Sequence, residues 1–294
     1  GDTTKNGTLT FTNTGTLTSN TTLTTASGVV LDEAVGGVTF SLTKAGAGAL
    51  TLKGANTFSG GAILGGSGRV MVGNDGAFGT GALTFNGAPV SSDGAVARQM
   101  GNAYTFDPGL SVVTLGDPTS NGALTFGGVG TLVGDMTFTT LSDVTLGGAL
   151  GGGYGITKAG IGVLTLSGSN TFSGSATVNA GTLALSGGRA IADGATVSVS
   201  AGGTLRLDGA ETIGGLAGAG SVNLQSNALT VSTAVDGSYD GVMSGVGGSL
   251  VKAGIGALTL SGANTFSGGV TIGAGTVRVG NKAGLGTGVL TMMG

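Results

Sequence analysis

Cysteine, histidine and tryptophan are absent from this 294-residue chain, proline occurs 3 times, and only 9% of the residues are charged. Each shortage excludes something. Without cysteine there is no disulfide framework and no thiolate metal site. Without histidine as well, neither a Ser-His-Asp triad nor a Cys-His pair can be assembled. The 11 Lys and Arg are scattered singly and the formal net charge is −3, so no basic face exists to displace counterions from a nucleic acid. Scarce proline and the lack of a three-residue glycine period exclude collagen. Long apolar runs are missing too: Gly, Thr or Ser interrupts each within about six residues, against the roughly 20 that a spanning helix needs. A membrane barrel would show strands of about ten residues and aromatic girdles; the 10 Phe and 3 Tyr are instead spread without pairing. No leader peptide is recognisable and Gly1 is not a natural start, so the sequence reads as a mature form or an excerpt.

What is abundant is glycine, at 66 positions, within a chain that is 39% hydrophobic and so too apolar to remain disordered. The glycines punctuate repeats. KAGAGALTLKGANTFSG from Lys44 returns as KAGIGVLTLSGSNTFSG from Lys158 and KAGIGALTLSGANTFSG from Lys252. Each copy runs on into a second strand-like stretch, so the repeat blocks cover 44–73, 158–187 and 252–280. NGTLTF at Asn6 is matched by NGALTF at Asn121, and GTGALTFNG at 79–87 by GTGVLTMMG at 286–294, which predicts that 1–294 is one continuous segment of a longer repetitive chain.

Within the runs the side chains alternate with period two, the mark of half-buried strands. Leu50 and Leu52 share one face; Arg69, Arg206 and Arg278 fall between the apolar positions of their own runs. Leu50 to Val70, Leu164 to Leu183, Leu183 to Leu205, Leu205 to Leu229 and Leu258 to Val277 suggest an interval near 20 residues, one turn of an all-β solenoid. About 12–14 such turns are expected, and none can stand alone. Ordering ~20 residues costs on the order of 20–40 kcal/mol, while burying about six aliphatic side chains returns only ~10–18 kcal/mol. Glycines suit the corners, where φ turns positive or backbones approach closely. Asn56, Asn170 and Asn264 fit the same corners through their tolerance of the left-handed region. Phe58, Phe172 and Phe266 are expected to point inward, and Lys44, Lys158 and Lys252 to be solvated corner residues.

The block K-A-G-x-G-x-L-T-L-x-G-x-N-T-F-S-G, followed by a G-T-L-x-L type strand, closely resembles the passenger-associated transport repeat of autotransporter passenger domains. The resemblance implies a right-handed parallel β-helix, carried across a Gram-negative outer membrane by a C-terminal barrel and displayed at the cell surface, with the repeat supporting the passenger's own secretion.

No enzyme is expected. The carboxylates that a β-helix lyase or glycosidase could use, Asp32, Glu33, Asp107, Asp117, Asp193 and Asp208, lie mostly in turn contexts such as DPG and GDP. No cofactor or metal is called for. Three roles fit: a passenger shaft displaying binding regions, a self-assembling filament or surface-layer subunit meeting copies of itself end to end or laterally, and a direct adhesin for glycans or other cells. Tyr104, Tyr154 and Tyr239 are the side chains to locate for sugar contact. Thr-rich segments near the start raise an ice-binding face, which needs threonines in register over many turns.

Overall fold

A computed structural model describes residues 7–293, and every regular element among them is a β-strand. Asn6 and Gly294, which bound two of the repeated segments, lie outside the described residues. Contacts divide the chain into two units, residues 1–148 and 149–294. In the first unit one sheet stacks Leu9–Phe11, Val29–Leu31, Leu50–Leu52, Val70–Val72, Val90–Ser92, Val112–Leu115 and Met136–Thr140. A second face runs from Thr21–Thr24 through Leu42–Ala45, Ala62–Gly65, Leu83–Asn86 and Tyr104–Phe106 to Gly130–Thr131. In the second unit one face stacks Ile156–Ala159, Ala176–Val178, Thr196–Val199, Gly215–Gly218, Gly237–Tyr239, Ala257–Leu260 and Thr276–Val279. Its other faces hold the strands from Val163–Leu166 to Val242–Ser244 and from Glu211–Ile213 to Leu290–Met292. The ladders between these strands are parallel, and each strand pairs with the strand one turn away, so this is a parallel β-solenoid of about fourteen turns, seven in each unit.

Most of the intervals read from the sequence are observed registers. Leu50 lies opposite Val70, Leu164 opposite Leu183, Leu183 opposite Leu205 and Leu258 opposite Val277. One interval fails: Leu205 faces Val222, and Leu229 faces Glu211 in a different sheet. The alternation of leucine and threonine is the same on all faces, so spacing alone does not say which face a strand joins. The apolar rows close into a core in which Leu50, Leu124, Leu164 and Leu183 have no exposed surface, while Arg69 and Arg206 are half-buried and Arg278 exposed on the outside.

Two turns of the first unit are wider than the rest. Val90 to Leu115 and Leu115 to Thr140 each take 25 residues, against 20 from Val70 to Val90. These turns house Tyr104, Phe106, Phe126 and Phe138: Phe106 stacks on Phe85 of the preceding turn at 5.4 Å and meets Phe138 at 5.7 Å, and Tyr104 lies 5.8 Å from Phe126. These five rings are therefore in contact, contrary to their scatter in sequence, because residues one turn apart become neighbours. Rings need more room than Leu or Val, and the longer circuits provide it.

Candidate functional site

The repeated block is the part of the molecule where sequence identity concentrates. Its lysine stands in a strand, at Leu42–Ala45, Ile156–Ala159 and Ser249–Ala253. Alternation gives it the inward phase: Leu42 and Lys44 are buried while Thr43 between them is not. Lys44 is 1% exposed, and Lys158 and Lys252 are fully covered. The expectation of solvated corner lysines is thus wrong. The aliphatic stem packs as a hydrophobe, and the amine reaches the carbonyls of the A-G-x-G corner that follows. Lys158 Nζ donates to the carbonyls of Ala159 (2.8 Å), Gly160 (2.8 Å) and, from the next turn, Ala180 (3.0 Å). Lys252 Nζ repeats this with Ala253 (2.5 Å), Gly254 (2.7 Å) and Ala274 (3.4 Å). Lys44 Nζ reaches Gly46 O at 2.6 Å within its own corner. Burial lowers all three amines below the usual lysine range, Lys158 to about 8.

The cage depends on glycine at one further position. Gly181 has φ +66°, and a Cβ there would lie 2.4 Å from Gly160 O and 2.7 Å from Lys158 Nζ. Gly275 in the third block has φ +72°, and a Cβ there would lie 2.5 Å from Gly254 O. Only a residue without Cβ admits both the conformation and the amine.

The asparagines of the block act between turns rather than within a corner. Asn170 Oδ1 accepts from Leu150 N at 2.7 Å and its Nδ2 donates to Ala190 O at 2.8 Å. Asn56 links Val35 N to Ala77 O, and Asn264 links Met243 N to Gly284 O, each at 2.6–2.7 Å. All three are buried, and none has positive φ; among described non-glycine residues only Thr39 and Gln225 do. The left-handed corner role is corrected accordingly: the primary amide is used because one side chain must both accept and donate. Phe58, Phe172 and Phe266 have no exposed surface.

One buried carboxylate escaped the sequence reading. Glu211 is 3% exposed, and its Oε1 and Oε2 accept from Ile191 N (2.8 Å) and Ala190 N (3.3 Å). It shares the inward phase of its strand with Ile213, which is the signal that marks it. Burial raises its carboxyl above the usual range, against the pull of the two backbone donors. Four of the six carboxylates singled out from sequence are spent locally. Asp107 accepts from Gly109 N; Asp32 pairs with Lys53 at 3.0 Å, and Asp208 with Arg206 at 2.7 Å. Asp117 accepts from the Thr119 hydroxyl and from the Thr119 and Ser120 amides, which hold it down at about 2, and it pairs with Arg69 at 2.7 Å. Glu33 and Asp193 lie outside these turn and ion-pair arrangements, and Asp193 raises the Glu211 carboxyl slightly.

Among the tyrosines, Tyr104 and Tyr239 are core residues, Tyr239 donating to Gly220 O at 2.8 Å, and Tyr154 is 43% exposed. Thr22, Thr43, Thr84, Thr105 and Thr131 do share one outward row, interrupted by Ile63. The row beside it holds Ala45, Gly65 and Asn86, so the file is one residue wide and gives no two-dimensional array for an ice lattice.

A family model for the passenger-associated-transport-repeat matches residues 42–67, 156–185 and 250–279, which begin two residues before each block lysine. Over 83 residues, 25% of this chain, the sequence is 40% identical to the adhesin BmaC autotransporter of Brucella suis biovar 1 (strain 1330). That stretch is 2% of the relative's length, so the chain spans a small fraction of it. No solved structure matches. The chain thus carries three passenger-associated transport repeats set in a parallel β-solenoid, and with this likeness they support an autotransporter passenger, secreted to the Gram-negative cell surface.

Proposed function

We propose that this segment is a shaft: a non-enzymatic solenoid whose role is to fold outside the cell and to hold binding regions away from it. The observation that carries this reading is where the conserved-looking chemistry of the block goes. Its lysines, asparagines and phenylalanines all face inward, and Lys158, Lys252 and the asparagines are consumed in joining turns. What remains outside is largely Thr, Ser, Gly and locally paired charge, with exposed apolar side chains such as Val96, Ile161, Val246 and Ile255 among them. The carboxylates that catalysis would recruit are taken up largely in turns and ion pairs.

The test is display of the chain on a Gram-negative surface through a translocator barrel, with and without a fused binding module. The fused module is expected at the surface with its affinity intact, while the chain alone stays silent on a glycan panel and on cultured cells. Saturable binding by the chain alone would replace the shaft with the direct adhesin. The relative's name, an adhesin, favours that second reading, and exposed Tyr154 and Val96 are the side chains to substitute in it. Hydrolysis of any glycan on the panel would reopen catalysis.

A further inference from the structure

A chain of near-identical turns has a register problem. Sliding one strand by a single residue turns its leucines to solvent, which the core forbids. Sliding it by two residues keeps every leucine inward, and stretches such as ITKA, ATV and LVKA offer little else to object. Apolar packing therefore leaves pairings that differ by two residues poorly distinguished. Something buried and directional has to choose among them.

We propose that Lys158 and Lys252 are register keys, which admit only the pairing in which the following turn brings its own carbonyl to the amine. The geometry is specific. Two acceptors of Lys158 Nζ come from its own corner, but the third, Ala180 O, arrives with the next turn. Ala274 O plays that part for Lys252. In both cases the lysine lies opposite an apolar residue one turn on: Lys158 faces Val178, and Lys252 faces Ile272. A two-residue slip moves Ala180 O away from the amine and puts Asn179 or Leu183 where Gly181 stands, a place where a Cβ would lie 2.7 Å from Lys158 Nζ. A buried cation that loses a partner is far more costly than a cation never buried, while an intact buried polar pairing adds little net stability over a hydrophobe of equal size. Groups of this kind select one arrangement more than they stabilise it. Lys44 supplies the internal contrast, since its amine reaches only Gly46 O in its own corner. The inference is independent of the shaft reading, because it concerns how turns find each other and not what the surface binds.

The absence of cysteine makes register directly measurable in the intact chain. Thr157 lies opposite Thr177, so the pair T157C/T177C reports the native register, and A159C/T177C reports the slip by two. Parallel neighbours sit about 4.8 Å apart and diagonal positions fall beyond the reach of a disulfide, so one pairing cannot substitute for the other. With Lys158 present, oxidation after refolding is expected to close T157C/T177C alone. With Lys158→Met, which keeps the stem, the far-UV β-signal and the thermal midpoint should persist while A159C/T177C cross-links rise roughly tenfold, as removal of a specificity bias without loss of packing allows. In the first block, where T43C/I63C is native and A45C/I63C slipped, Lys44→Met should leave the pattern unchanged. An unchanged pattern with Lys158→Met overturns the proposal. So does outright loss of β-structure in that variant, which would make the lysine a stabiliser of the fold, and so does an equal response at Lys44.

Discussion

Asn170 links the turn before its own to the turn after it, and its removal leaves Leu150 N and Ala190 O buried without partners. An unpaired buried backbone group costs about 1–3 kcal/mol, so Asn170→Ala should destabilise the second unit by about 2–4 kcal/mol in chemical denaturation. Glu211 makes a prediction about pH. Its carboxyl titrates higher when folded than when unfolded, so the folded state binds the proton more tightly. That preference stabilises the fold below the unfolded pKa and is lost as pH rises through the folded one. The thermal midpoint should therefore fall between roughly pH 4 and neutrality, and Glu211→Gln should flatten that segment of the profile. A melting curve series at several pH values reads this directly. At this scale the sequence was least legible. Lysine and asparagine beside glycine look like solvated turn residues, because composition does not reveal that the corner's carbonyls face the interior. Phe58, Phe172 and Phe266 were readable, since a large aromatic two residues past the asparagine has nowhere else to go.

Strands were legible one by one, and their assignment to faces was not. Period-two alternation gave the pairs Leu50–Val70 and Leu258–Val277 directly, yet the same alternation misplaced Leu229, whose strand joins the face of Glu211. The corner between faces is where a single methyl group decides the outcome. Gly181→Ala sets a Cβ against Gly160 O and Lys158 Nζ at a left-handed φ, and is expected to cost about 1–3 kcal/mol. Gly153 has open space around it, and Gly153→Ala should change stability by less than about 0.5 kcal/mol. Paired urea unfolding curves separate the two. Phe172→Ala, in a side chain with no exposed surface, should cost about 3–5 kcal/mol through the void it leaves.

Repetition at the scale of the whole chain does not follow the turns. Lys158 and Lys252 are 94 residues apart (252 − 158), which is not a whole number of turns near 20 residues. The structure shows the consequence within the second unit. The strand of Lys158 lies in the sheet that also holds Ala257–Leu260, whereas the strand of Lys252 lies on another face and only the strand after it, Ala257–Leu260, enters that sheet. The block is therefore a corner with its own geometry, usable on whichever face it falls. Deleting residues 158–251 joins Thr157 to Lys252 and reconstitutes one block, so the shortened chain should keep a cooperative melt. Deleting 158–255 joins Thr157 to Gly256, removes the lysine and its A-G corner from the block, and should abolish that cooperativity. Circular dichroism melts of the two variants provide the comparison. The repeat and the solenoid were plain from sequence; the rotation from face to face was not, because it depends on turn lengths that vary between blocks.

The withdrawal of three lysines into the core also changes how the chain meets digestion. A protease that cuts after Lys or Arg has 11 places to act in 294 residues, and folding hides Lys44, Lys158 and Lys252 from it. These three lie within the blocks that are most alike, so cleavage there becomes available only while a block is unwound. The same residues that order the turns thus leave a folded passenger with few tryptic sites in its repeats, and mark any unfolded stretch as the first to be trimmed.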